Sequence, residues 1–218
     1  MIWSPFRRRR YGSGLPTPGR CEPDRHVLAT ERLLLFTPRT HLDVAAALAA
    51  CADAEAQRWL GNHADLVAPD PGTRRALLER RPAGDDGRRG PRSLARPFTL
   101  GRDDPVFLVC VRRADLSYAG ALQLEHSAGE IGGWLAPRCR GQGLGAELFR
   151  AGALLAHTHF GMTRVRAGAE TGNTASRRAL ARAGFVPDEG PPRHTLPDGR
   201  VVDSVWLRHE ATAATYCA

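Results

Sequence analysis

Chemistry in this chain starts at Arg140-Gly141-Gln142-Gly143-Leu144-Gly145. Three glycines at alternate positions between a strand-like and a helix-like segment make a turn whose backbone can take positive φ and be approached closely. At the start of a helix the first N–H groups have no internal acceptor, and the helix dipole is positive there. A pyrophosphate is the natural occupant of such a turn. The segment is neither a Walker A loop, since no Gly-Lys-Ser/Thr follows, nor the dinucleotide G-x-G-x-x-G. On spacing alone, a tight structural connection accounts for it equally well. Asn173 is a second polar residue with a definite position, the expected N-cap of a helix over 174–183.

The elements that must position these residues can be read from periodicity. The apolar run 26–36 predicts a strand. Residues 42–60 predict two short helices broken near Cys51-Ala52-Asp53. Residues 71–81 predict a further helix with Asp70 as N-cap and Pro71 in the first turn, and 82–105 a long loop. Strands over 106–111, 119–125 and 130–136 predict an antiparallel meander. A helix over 145–160, an alternating strand over 163–170, the helix ending at Gly184, a strand from Phe185 and a hairpin at Asp198-Gly199 complete the order. On the strand from Glu130, alternation puts Glu130, Gly132 and Trp134 on one face and Ile131, Gly133 and Leu135 on the other. The fold class is mixed α/β around one sheet.

Composition narrows the function classes. The 218 residues suit one domain, expected over 26–210, with a Pro-, Gly- and Arg-rich arm over 1–25 expected to be disordered and a short tail over 211–218. The net charge of +8 comes from arginine, with no lysine, and is spread along the chain; nucleic acid is therefore not an expected partner. The basic cluster Arg7 to Arg10 is not followed by an apolar stretch, so no secretory leader is read, and no apolar run is long enough to cross a membrane. The five cysteines lack metal-ligand spacing, so neither a metal site nor a disulfide framework is expected, and the cytoplasm is the expected compartment.

Arg140-x-x-Gly143-x-Gly145 resembles the cofactor motif [QR]-x-x-G-x-[GA] of the GNAT acyltransferase superfamily. The preceding Ile131 to Pro137 resembles that family's fourth strand, and Asn173-Thr174-Ala175-Ser176 with Ala183-Gly184-Phe185 its later segments. Thr30 to Leu35 is similar to the opening of the subgroup containing the ribosomal-protein N-terminal acetyltransferases. The resemblance runs in order over about 27–210. It implies the GNAT fold, a mostly antiparallel sheet in which one parallel strand pair splays, flanked by helices. It also implies transfer of an acetyl group from acetyl-CoA to a primary amine, either a protein N-terminus or a small molecule. A longer acyl-CoA, or a non-catalytic acyl-CoA-binding role, remains an alternative, as does monomer or homodimer.

By the same resemblance, Trp134, Leu135 and Ala136 would bond pantetheine. The N–H groups of Gly141, Gln142, Gly143, Leu144, Gly145 and Ala146 would hold the pyrophosphate, with Arg140 adding charge and Asn173 helping to hold the cofactor. Glu130 stands where many members place a general base, and Ser176 where the ribosomal-protein subgroup has a serine near the sulfur. The position of the usual tyrosine acid holds Leu180, and none of the chain's tyrosines replaces it. Where the family often has Gly-Tyr-Trp this chain has Gly132-Gly133-Trp134, which should reshape the acceptor pocket. An α-amine, with pKa near 8, is about 3 kcal/mol easier to deprotonate at neutral pH than a lysine amine, so a base matters more for the latter.

Overall fold

The computed structural model describes residues 25–61, 98–99 and 104–212. The helix expected over 71–81 and nearly all of the loop expected over 82–105 lie outside them, as do the arm before residue 25 and the last residues of the tail. Among the described residues, nine strands form one sheet in the order β1-β2-β3-β4-β5-β6-β9-β7, with β8 pairing on β9. They are β1 Val27–Ala29, β2 Leu33–Phe36, β3 Val106–Arg112, β4 Tyr118–Glu125, β5 Glu130–Leu135, β6 Arg164–Glu170, β7 Val186–Asp188, β8 Arg193–Thr195 and β9 Val201–Glu210. The helices are α1 His41–Ala49, α2 Ala54–Leu60, α3 Leu144–Thr158 and α4 Thr174–Arg182. The meander β3-β4-β5 and the two short helices match the sequence reading.

The opening segment does not. Instead of one strand over 26–36, β1 and β2 form an antiparallel pair, with Val27 opposite Phe36 and Ala29 opposite Leu34. The reversal is fixed locally by Thr30, whose N–H donates to the Leu33 carbonyl at 2.9 Å while its hydroxyl oxygen accepts the Leu33 N–H at 2.9 Å. Arg193–Thr195 forms a further short strand; it pairs with β9 across the Asp198-Gly199 turn, where Gly199 has φ +85°.

Two apolar layers cover the sheet. Leu33, Leu35, Leu108, Leu122, Leu124, Val165 and Leu207 pack under α3. Leu34, Phe36, Val109, Val111 and Ala121 pack under α1. The alternation read from the sequence sets this division, since neighbours in β2 and β3 go to opposite layers. Gly152 lets α3 lie close: a Cβ there would stand 2.2 Å from the Ile131 Cδ1 and 2.6 Å from the Leu122 Cδ1.

One junction in the sheet differs from the rest. β5 and β6 are its parallel pair, and they share a single register pair, Glu130 opposite Arg166. Every other neighbouring pair is antiparallel. Beyond that bridge the two strands part.

Candidate active site

After β5 one turn of 3-10 helix, Pro137–Cys139, carries the chain to the glycine turn. Gly141 and Gly143 have φ of +72° and +78°, and Gly143 is the N-cap of α3. A Cβ on Gly141 would meet nothing within 4 Å, so glycine is required there by backbone conformation and not by packing. Gly145 is different: a Cβ on it would stand 3.1 Å from that of Ala179, so its absence lets α4 pack on the start of α3. Among the described residues, no N–H from Gly141 to Ala146 donates to a protein acceptor outside the helix. Leu144 and Ala146 are buried, while Gly141, Gly143, Gly145 and Ala146 line the cavity that opens beside the turn. Gln142 turns its amide back onto the Arg138 carbonyl at 2.7 Å, and its own carbonyl accepts from Arg32 Nη1 at 2.8 Å.

Glu147 in the first turn of α3 would repel a phosphate were it free. Instead it accepts the Thr30 hydroxyl, the Arg32 N–H at 2.7 Å and Arg32 Nε at 2.8 Å. Partial burial works against its charge, but the bonds from Thr30 and Arg32 outweigh that and hold its pKa below the usual carboxylate range. The carboxylate is thus neutralised where it stands, and it ties the β1–β2 turn to the helix.

Arg140 does not extend toward an open phosphate position, as expected from the sequence. Its Nε donates to the Leu135 carbonyl at 3.0 Å, and Nη1 and Nη2 reach Asp53 at 2.8 and 2.7 Å, with Glu55 at 3.1 Å. Asp53 also caps α2 by accepting the Ala56 N–H at 3.1 Å. Arg140 therefore fastens the glycine turn to β5 and to the start of α2. The hydrogen bonds from Arg140 hold the Asp53 carboxyl below its ordinary value. A group with a lowered folded pKa contributes stability above its unfolded pKa and loses it as pH falls through the folded one. Asp53→Asn keeps the cap but removes the charge, and the partly exposed pair is worth about 1 kcal/mol. Its melting temperature should sit about 2–4 °C below wild type at pH 7. The gap should close below about pH 4, as a pH series of thermal melts will show.

Between β5 and β6 opens a cavity of about 830 Å³. The backbone facing it follows from the β4–β5 register. The Ala136 N–H donates to Ala119, its carbonyl accepts from Cys139, and the Trp134 carbonyl crowds Gly120, where a Cβ would stand 1.9 Å away. Antiparallel alternation then turns the backbone of Gly133 and Leu135 toward β6 and the gap. Of the expected trio Trp134, Leu135 and Ala136, only Leu135 presents its backbone to the gap; Gly133 takes the place of the other two.

Side chains reach the cavity from both layers. Glu130 and Trp134 enter from the α1 side, where the Trp134 Nε1 donates to the Ala47 carbonyl at 3.0 Å. Asn173 and Ser176 enter from the α3–α4 side; Asn173 Oδ1 accepts the Ser176 N–H at 3.0 Å, which is the expected cap. The Ser176 hydroxyl has no protein partner among the described residues. Leu180, fully buried one turn on, is an aliphatic wall of the same cavity. Glu130, Asn173 and Ser176 thus meet in one space although they belong to opposite faces of the sheet. The sequence reading missed Trp59, Glu170 and Trp206, which also line the cavity. The signal for Trp206 was present, since Val202, Ser204 and Trp206 alternate onto one face of β9. Among the described residues no group of three or more His, Cys, Asp or Glu side chains could hold a metal ion, and no helix is long and apolar enough to cross a membrane.

Comparison with known proteins gives the same picture. By sequence, no curated protein matches the chain. A ribosomal-protein-S5-alanine acetyltransferase from Vibrio fischeri superposes with a TM-score of 0.61 at 12% identity, covering 86% of this chain and 98% of that one. A structure described as a putative ribosomal-protein-serine acetyltransferase from Vibrio cholerae gives 0.57 at 15%, covering 85% and 98%. The aminoglycoside acetyltransferase AAC(6')-Ib in complex with coenzyme A gives 0.54 at 18%, covering 84% and 96%. These likenesses show a shared fold. The family model described as an acetyltransferase (GNAT) domain matches residues 32–186, which takes in the glycine turn, the splayed strand pair and the helix of Asn173 and Ser176, and the chain belongs to that family.

Proposed function

We propose that residues 26–210 form a single catalytic domain that transfers the acetyl group of acetyl-CoA to a primary amine in the splay between β5 and β6. The observation that carries this reading is the continuity of one cavity from unpaired N–H groups at the start of α3, past the edge of β5 that faces β6, to Glu130 and Ser176. Each part suits a part of the cofactor: a helix N-terminus with two left-handed glycines for pyrophosphate, and a strand edge not laddered to β6 beyond the Glu130 bridge for an amide-bearing arm.

Acetyl-CoA supplies the activated thioester. The chain's own residues do the rest. Gly133 and Leu135 orient the arm through their backbone. Glu130 takes a proton from the incoming ammonium, directly or through water, and leaves a neutral amine. The Ser176 hydroxyl, positioned by the Asn173 cap and free of other bonds, donates a hydrogen bond to sulfur as negative charge develops there. Leu180 lends only its apolar surface, so no phenol competes with Ser176 for that task.

Trp59, Glu125, Glu170 and Trp206 also line the cavity and are the walls available to the acceptor. Anionic and aromatic walls suit a cationic amine, whether a peptide N-terminus or a small molecule. The cytoplasm, where acetyl-CoA is made, is the compartment of this activity. Thiol release from acetyl-CoA over a panel of N-terminal peptides, aminoglycosides and simple amines, with mass spectrometry of the products, tests the proposal. An acceptor heavier by one acetyl group supports it. Tight acetyl-CoA binding without transfer to any member would make the chain a binding module instead.

A further inference from the structure

Two arginines that line the cavity have no part in the reaction described above. Arg178 and Arg182 lie four residues apart on α4, hence on one helix face, and both line the cavity together with Ala175 one turn earlier. Both are exposed. Neither guanidinium is bonded to a carboxylate or carbonyl among the described residues; the Arg182 backbone carbonyl accepts from Arg150 Nη2 at 2.8 Å, which brings a third arginine to the end of the same helix. α4 has no acidic residue to offset them, over Thr174-Ala175-Ser176-Arg177-Arg178-Ala179-Leu180-Ala181-Arg182. Elsewhere among the described residues, Arg32, Arg140, Arg164, Arg166, Arg200 and Arg208 are ion-paired, and Arg113, Arg138, Arg150 and Arg177 donate to backbone carbonyls.

Their place in the fold is fixed by packing. Ala179, between them in sequence, sits against Gly145, where a Cβ would stand 3.1 Å away, so α4 lies directly on the first turn of α3. The arginines therefore flank the turn whose N–H groups we assign to pyrophosphate. In coenzyme A, only the ribose separates the pyrophosphate from the 3′-phosphate, a monoester with up to two negative charges at neutral pH. We propose that Arg178 and Arg182 form a subsite for this 3′-phosphate, so that the enzyme distinguishes coenzyme A from its 3′-dephospho form. This rests on the assignment of the glycine turn to the pyrophosphate. Guanidinium is well matched to such a group, since its planar donors bond phosphate oxygens in pairs, and a site at the cavity rim can accept the charge without desolvating it fully.

The test needs no acceptor. Calorimetric titration of the full-length protein with coenzyme A and with 3′-dephospho-coenzyme A should show wild type preferring the former roughly tenfold. The double variant Arg178→Gln/Arg182→Gln keeps two helix-favouring, exposed side chains and should fold as wild type. It should bind coenzyme A roughly tenfold more weakly, leave 3′-dephospho-coenzyme A unchanged, and so lose the preference. Equal weakening toward both ligands would overturn the proposal and assign the arginines to the pyrophosphate. An unchanged preference would overturn it as well. Wild type that binds neither ligand would overturn the cofactor assignment itself, a result distinct from both.

Discussion

Gly143→Val is expected to abolish coenzyme A and acetyl-CoA binding while the protein still folds. Gly143 has φ +78°, a conformation that costs a β-branched residue about 1–2 kcal/mol or more. The nearest atom to a Cβ there is Arg32 Nη2 at 3.6 Å, so no core packing is broken and the domain tolerates the side chain. What is lost is the cradle: either valine methyl groups stand where phosphate oxygens must come, or the backbone relaxes and turns the N–H groups of Leu144 and Gly145 away. At a hundredfold excess over Kd, acetyl-CoA stabilises wild type by about 2.7 kcal/mol, or roughly 5–10 °C in Tm for a chain of this size. The variant should show none of that shift and no calorimetric heat. A folded Gly143→Val protein that binds as wild type would remove the pyrophosphate from this turn.

Ser176→Ala should lower kcat and kcat/KM together, by roughly 30- to 1000-fold, with little change in acetyl-CoA affinity. That pattern marks a hydrogen bond that matters only as charge builds on sulfur. The hydroxyl has no other task among the described residues, because the cap of α4 uses the Ser176 N–H and not its side chain. Glu130→Gln should behave otherwise. Its defect should be largest at low pH, where the acceptor is protonated, and shrink as pH rises and hydroxide does the work of the base. Rate profiles of both variants with one confirmed acceptor separate the two tasks. Wild-type rates in Ser176→Ala would take the serine out of the reaction, and a defect in Glu130→Gln that is independent of pH would make that carboxylate a binding group.

What the sequence made legible was what short-range chemistry dictates. Gly141 and Gly143 stand out because left-handed backbone excludes most other residues, and the meander stands out because β3 and β4 are short apolar runs, buried almost throughout, and a tight turn joins β4 to β5. What stayed hidden depends on partners far away in sequence. The β1–β2 turn interrupts an apolar run with no glycine or proline, and part of what holds it is Glu147, 115 residues from Arg32. Arg140 stands in the sequence as a charge beside the glycine turn, and its tie to Asp53, 87 residues away, has no local signal. β8 is exposed along its whole length and so carries no hydrophobic pattern. That Gly133 and not Trp134 turns its backbone to the gap depends on which residues of β5 are hydrogen-bonded to β4, a fact of register that periodicity alone does not contain.

The lone bridge between β5 and β6 also divides the molecule mechanically. β1 to β5 form one continuous antiparallel ladder, and β6, β9 and β7 another; backbone pairing links them at Glu130 and Arg166, while α3 buries apolar side chains from both. With α3 packed over both, the strand ends at the splay are where local opening should cost least. An amide-bearing ligand laid along the edge of β5 would close that fault line, and amides on both sides of it would then exchange with solvent as a single block.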